Sequence, residues 1–199
     1  MILALLLALA GAPDTATPAR SNVAPDTIGQ HPDSLFPAFL KEYLEAYRRS
    51  RKEASRWIHP KLPYRTVDNP GASCVLDYPS TQVGKDIMDG TEVIPPDTRI
   101  TIRRGIPAVK NPCDDDGPYR GHQGFFWDPV RPRDLPTFGH WREDGDLEFV
   151  VPWLPVPKPW RVMQVVFIAK GWDQLRMYFV WFDGGWHPWV DNHCTPCSA

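Results

Sequence analysis

What this chain lacks narrows its function first. Positive charge is not in excess: 22 Lys and Arg face 24 Asp and Glu, for a formal charge of -2. No basic stripe appears either, which argues against a nucleic-acid partner. The nucleophile elbow G-x-S-x-G, the zinc helix H-E-x-x-H and the phosphate-loop glycine pattern are all missing. No repeat period is evident. Cysteine is scarce, with four in 199 residues, and no set of four metal ligands is spaced as a zinc site. No cofactor motif is read.

The chain also lacks a membrane-length helix. Its apolar run from Ile2 to Ala10 falls well short of the roughly 20 residues needed to span a bilayer. It matches instead the apolar core of an export signal, followed by small residues at Ala8, Ala10 and Ala12. No Lys or Arg precedes the run, a departure from the usual signal. The expected organisation is a signal and cleavage region over 1–19, a Pro/Thr/Asp-rich disordered spacer over 20–33, and one domain over 34–199. The expected location is secreted or periplasmic.

Export bears on the cysteines, since thiols in an oxidising compartment pair. Cys74, Cys113, Cys194 and Cys197 allow three connectivities. Cys194-x-x-Cys197 follows a strand-like run, whereas a redox pair normally opens a helix. His193 with the two cysteines gives only three of the four ligands zinc takes. A structural staple is the reading, with short-range closure favouring Cys194–Cys197 and leaving Cys74–Cys113.

Proline and tryptophan are abundant, at 23 and nine, which fits loops and short strands rather than a helical bundle. The helical signal is "DSLFPAFLKEYLEAYRRSRKEASRWIHP". Phe36, Phe39, Leu40, Tyr43, Leu44 and Tyr47 recur on one face, and Lys41, Glu42, Glu45, Arg48 and Arg49 on the other. Asp33 or Ser34 is the expected cap, which keeps Pro37 near the first turn. Ser50-x-x-Glu53 reads as a capping box opening a second helix that runs through Trp57 and stops at Pro60.

Beyond this, strands are expected over 72–78, 98–104, 121–127, 137–142, 146–153, 160–170, 175–182 and 186–190. Asp144-Gly145, Lys170-Gly171 and Asp183-Gly184 are hairpin signals. Val162–Ala169 and Met177–Phe182 are apolar at nearly every position. One face can meet the helices through Phe39, Leu40, Tyr43 and Tyr47. The other must be covered too: by the interior of a closed or strongly curved sheet wrapping its own core, by a second copy, by a ligand, or by the segment from Pro107 to Pro136 folding back. A homodimer through the sheet face would place its seam at Tyr178, Val180 and Phe182, or at Met177, Phe179 and Trp181.

Helices leading into a sheet that ends in "MYFVWFDGGWHPWVDN" resemble the NTF2-like α+β cone fold. There the last hairpin has an apolar strand, a Gly-containing turn, a Trp and a closing strand. Here Tyr178–Phe182, Asp183–Gly185, Trp186 and Trp189–Asp191 hold those places. The resemblance covers element order from Ser34 to Asn192, and it departs at the Arg49-Ser50-Arg51 helix turn and the Pro-rich stretch at Val156–Pro159. The stretch "WIHP…NPGASC" resembles secreted bacterial domains of unknown function. The resemblance implies an amphipathic helix pair packed on a curved antiparallel sheet. It also implies that an enzyme of this fold would use an Asp, Tyr or His inside the cone, with Asp77, Tyr78 and His140 as candidates.

The expected function is a non-catalytic binding or interaction domain whose partner is a small molecule, a glycan or a protein. The aromatics Phe125, Phe126, Trp127, Trp186 and Trp189 are its candidate contact residues, set against the plainer reading that they pack the core. The alternatives are an enzyme using the cone pocket, and a structural envelope protein. Asp114, Asp115 and Asp116 are consecutive rather than alternating and read as a solvated turn, not a calcium loop. His59 reads as a residue closing a helix C-terminus, with a general base as the alternative. His122, His140 and His187 have no carboxylate partner at motif spacing.

Overall fold

A computed structural model describes residues 31–62, 64–68, 74–76, 80, 83, 94–95, 97–109, 117–142, 144–150 and 161–194. The expected signal and cleavage region, most of the spacer, Cys113, Cys197, the Asp114–Asp116 turn, Asp77 and Tyr78 lie outside them. The class is α+β. Among the described residues, helix α1 (Pro32–Arg49) and the short α2 (Arg51–Ser55) precede nine strands. These are β1 (Arg65–Asp68), β2 (Val75–Leu76), β3 (Ile102–Arg104), β4 (Gly124–Val130), β5 (Phe138–Trp141), β6 (Leu147–Val150), β7 (Val162–Ala169), β8 (Trp172–Phe182) and β9 (Gly185–Asn192).

Helix α1 starts earlier than expected. Its cap is His31, whose ring nitrogen accepts from the N–H of Asp33, and proline occupies the first turn. Pro37 therefore falls in the second turn. Asp33 is left to pair with Arg161, Nη1 to Oδ1 3.0 Å. Ser50 leaves the helical conformation at φ -168° and caps α2 by accepting from the N–H of Lys52. Glu53 does not close the expected capping box, because it accepts from Nε of Arg49 at 2.9 Å. The helix ends at Ser55, short of Trp57.

The sheet order is β3-β4-β7-β8-β9-β1-β2-β5-β6. It is mixed, which corrects the expected antiparallel sheet. The pairs β1–β9, β3–β4 and β2–β5 run parallel, and the others antiparallel. One of the strands in these parallel pairs, β1, is one that sequence alone did not offer. It closes beside β9 with Thr66 opposite Asp191. The meander β7–β8–β9 turns through Lys170-Gly171 and Asp183-Gly184, all four at positive φ. That backbone suits the twist of a two-residue hairpin.

The apolar strands alternate faithfully between two cores. Phe125 and Trp127 of β4, Met163, Val165 and Phe167 of β7, and Leu175, Met177 and Phe179 of β8 meet Phe36, Leu40, Tyr43, Leu44 and Tyr47 of α1. Phe36 stacks edge-on to Trp127, Phe179 and Trp186. The indole of Trp186 then donates to the carbonyl of Pro32 at 3.0 Å, anchoring the helix start.

The opposite face is covered within the chain. Val162, Tyr178, Val180, Trp189 and Val190 pack with Leu62, Val67, Leu135 and Phe138. Phe126, Val166 and Ile168 pack under Tyr119. Both sets of side chains expected to form a dimer seam are thus taken up: Met177, Tyr178, Phe179 and Val180 are buried, and Trp181 and Phe182 half-buried. Tyr119 and Leu135, which pack on this face, come from the segment between Pro107 and Pro136. Gly117 makes the return tight. Its φ is +88°, and a Cβ there would sit 2.5 Å from the carbonyl oxygen of Gly171.

Candidate functional site

The five aromatic candidates do not form a surface. Phe125, Phe126, Trp127, Trp186 and Trp189 are all buried, spread over three packing clusters. Among the described residues, Val109 is the one large apolar side chain left exposed. These rings serve as core, and no aromatic docking face is built from them.

The cysteines also differ from expectation. Cys74 is bonded to Cys194, with Cα atoms 5.7 Å apart and a sequence separation of 120. That excludes both Cys194–Cys197 and Cys74–Cys113. The fold supplies the reason: β1 pairs with β2 on one side and β9 on the other, so the start of β2 and the exit of β9 flank the same strand. The N–H of His193 donates to the carbonyl of Val67, and that of Cys194 to Oδ1 of Asn192, which sets the exit path.

What the fold brings together instead is a buried polar cluster. Tyr43 and Tyr47 come from the apolar face of α1, Tyr64 from the residue before β1, Asp191 from β9 and His193 from just past it. Among the described residues, the three tyrosine hydroxyls, both carboxyl oxygens of Asp191 and Nε2 of His193 are buried with no hydrogen-bond partner. Native interiors rarely leave such groups unpaired, and each costs about 1–3 kcal/mol. Several of them in one place is an expensive feature for a domain stable by only about 5–15 kcal/mol.

A β-bulge produces it. Tyr178 pairs with Val190, but Phe179 pairs with Pro188, so Trp189 is the extra residue. A one-residue shift reverses which face each later side chain occupies. Trp189 and Val190 consequently both enter the outer core, and Asp191, opposite Met177, turns toward α1. Without the bulge Asp191 would face the other way.

Burial sets the ionisation of the cluster. It pushes Asp191 up to about 7, against the opposing pull of the Tyr64 hydroxyl, the Arg51 guanidinium and the Tyr47 hydroxyl. Burial, then the field of Arg51, lowers His193 to about 4. Burial, then Asp191, raises Tyr43, Tyr47 and Tyr64 above the ordinary phenol. Near neutral pH the site therefore presents three protonated hydroxyls, a neutral imidazole and a carboxyl poised between its two forms. Such a group gives or takes a proton with equal ease.

Two other histidines, His59 and His187, pack against each other at the last hairpin. Nδ1 of His59 accepts from the N–H of Lys61 at 3.1 Å, and Nε2 lies 3.5 Å from Oδ2 of Asp183. Its ring packs edge-on to Phe182 and His187. His187 reaches the carbonyls of Trp57 and Phe182 with its two nitrogens. Together they tie the last hairpin to the end of the helix pair. His122 is exposed against the edge of Phe126. The side chain of His140 lies outside the described residues. Among those residues no group of three or more His, Cys, Asp or Glu is arranged to hold a metal, and no helix is long and apolar enough to cross a membrane.

Comparison with known proteins adds no name to this geometry: no family model, no curated protein and no solved structure matches the chain.

Asp191 and Tyr64 were not among the residues the sequence singled out for chemistry, and Tyr43 and Tyr47 appeared only as helix packing. One signal was there: two tyrosines at i and i+4 on the apolar face put two hydroxyls into the same stretch of core.

Proposed function

We propose that this is an exported, NTF2-like binding domain that holds a small polar molecule at the Asp191 cluster. The observation that carries the reading is the convergence of unpartnered buried oxygens from α1, β9 and the residue before β1. Pockets that recognise small molecules combine apolar walls with a few convergent polar groups. The apolar surroundings here are the rings of Tyr47, Trp57 and Phe179, packed with centroids 5.0–6.1 Å from that of Tyr43. Helices packed on a sheet that ends in the Trp186 hairpin support the NTF2-like reading. The Cys74–Cys194 disulfide is compatible with an oxidising extracellular or periplasmic location. N-terminal sequencing of the exported protein should begin between Gly11 and about Arg20, and an intact Met1 would reject export.

A second reading is favoured by one observation. Asp191 is held at about 7 beside hydroxyls that stay protonated, a state that suits an enzyme moving protons to and from its substrate.

Both readings place a ligand on the tyrosines. The test is a fragment screen followed through 13Cζ-labelled tyrosine signals. Compounds of the right class should shift Tyr43, Tyr47 and Tyr64 in the natural protein and not in a folded Asp191→Leu variant. If no compound of any charge moves these signals, the binding reading falls.

A further inference from the structure

Of the three ways to pair four cysteines, one contains the Cys74–Cys194 bond. We infer that Cys113 and Cys197 form a second disulfide, interleaved in sequence with the first. Both cysteines lie outside the described residues, so their reach is set by the nearest described ones, Gly117 and Cys194. Cys113 is four residues before Gly117, and Cys197 is three after Cys194.

Gly117 is fixed at the β7–β8 turn. The N–H of Tyr119 donates to the carbonyl of Gly171 at 2.9 Å, and a Cβ on Gly117 would sit 2.5 Å from that same oxygen. Strand β9 runs toward this turn. Asn192 pairs with Arg176 in antiparallel register, so the chain leaving β9 passes beside the residues of β8 that lead back to Gly171. The face agrees as well. Cys194 packs with Tyr178 and Val180 on the outer side of the sheet. On that side the Tyr119 hydroxyl accepts from Nη2 of Arg176 at 3.1 Å.

Reach decides whether the bond can form. Continuing the register of β9 sets Cys194 beside Gln174, three residues and one strand from Gly171. With a rise of about 3.3 Å per residue and about 4.8 Å between strands, the gap from Gly117 to Cys194 is about 15 Å. The residues leading from these two to the cysteines span up to about 23 Å when extended. The bond itself bridges about 5.5 Å between Cα atoms. The reach therefore exceeds the gap nearly twofold. Thiols tethered this closely meet at an effective concentration of about a millimolar, well above that of a second chain at micromolar concentration.

The oxidant is of the class that makes the first bond, a dithiol–disulfide carrier. The thiolate of one cysteine attacks the carrier's disulfide and expels one of its sulfurs. The thiolate of the other then attacks the mixed disulfide and expels the second. The chain gives up two electrons and two thiol protons, and the carrier leaves as a dithiol.

The test is alkylation of the exported, denatured, unreduced chain, followed by trypsin and mass spectrometry. The natural protein should take up no label. It should yield one assembly of three peptides, carrying Cys74, Cys113 and the Cys194/Cys197 end. Electron-transfer fragmentation of that assembly should join Cys113 to Cys197 and Cys74 to Cys194. Cys197→Ser should expose Cys113 alone to the label, and Cys113→Ser should expose Cys197 alone. Label on Cys113 and Cys197 of the natural protein, or a covalent dimer through either, would overturn the second bond and leave the first standing. Label on all four, or Cys194 joined to Cys197, would overturn both. The fragmentation of the natural protein assigns the pairs even if neither variant is exported.

Discussion

The hydroxyl of Tyr47 in α1 and the carboxyl of Asp191 in β9 lie close enough to alter each other's proton affinity, yet outside ordinary hydrogen-bond geometry. A buried hydroxyl in that condition contributes desolvation cost without a bond to offset it. Tyr47→Phe should therefore leave stability unchanged or raise it by about 1 kcal/mol, where loss of a made hydrogen bond would lower it by a similar amount. Tyr43→Phe and Tyr64→Phe should behave alike. Urea unfolding of the ligand-free protein decides it, and a loss beyond about 1 kcal/mol in all three would mean that the hydroxyls are partnered.

Asp191 and His193 should give opposite pH dependences. Burial moves Asp191 from 3.8 to about 7. Between those values the folded chain keeps a proton that the unfolded chain has released. Its contribution to stability is complete below about pH 4 and lost as pH rises to about 7. His193 is moved from 6.5 to about 4. There the unfolded chain binds a proton that the fold refuses, so stability falls as pH drops through that interval.

The two slopes oppose each other between about pH 4 and 6.5. Asp191→Asn should gain on the natural protein as pH rises, by up to about 4 kcal/mol above pH 7. His193→Gln should gain as pH falls, by up to about 3 kcal/mol near pH 4. Denaturant midpoints from pH 4 to 8 measure both. Parallel curves for the natural protein and either variant would show that the group titrates normally.

Breaking the disulfide should be costly. Under a chain-entropy treatment, a link joining residues as far apart as Cys74 and Cys194 stabilises by about 5 kcal/mol. Cys74→Ser with Cys194→Ser should lose about 3–5 kcal/mol, and peptide mapping of the unreduced protein should recover Cys74 joined to Cys194. Recovery of Cys194 joined to Cys197 would contradict the β1–β2–β9 arrangement.

The protein should sediment as a monomer at micromolar concentration. Tyr178 and Val180 already pack on Leu135, Phe138 and Trp189 of the same chain, and Met177 and Phe179 on α1. A dimer would have to use some other surface. If Val180→Asp dissociated a dimer without unfolding the chain, the outer face would be an interface after all.

Much of this architecture can be read from residues. The 3.6-residue recurrence from Phe36 to Tyr47 specifies α1, and Lys170-Gly171 and Asp183-Gly184 specify two hairpins because few other pairs tolerate positive φ twice. Strands apolar on both faces announce that both faces are covered. The same pattern does not say by what, since Leu135 and a second copy would satisfy Val180 equally well. Strand β1 is four residues with one large apolar side chain, Val67, which is too short to show a period. Its parallel pairing with β9 depends on contacts between opposite ends of the chain.

The disulfide follows from that pairing, which is why local closure pointed to the wrong partner for Cys194. The candidate site depends on something subtler. The bulge at Trp189 decides whether Asp191 faces α1 or the outer core, and the sequence "WHPWVDN" reads the same either way.

A crystal structure of the mature protein at about 1.2 Å, where hydroxyl partners and water orientations become visible, addresses the Asp191 site most directly. The expected result is non-protein density larger than a single water within hydrogen-bonding distance of Asp191 and at least two of Tyr43, Tyr47 and Tyr64. Hydroxyls closed onto the Asp191 carboxyl, with no other atoms between them, would make the cluster a self-satisfied piece of core and contradict a ligand site there.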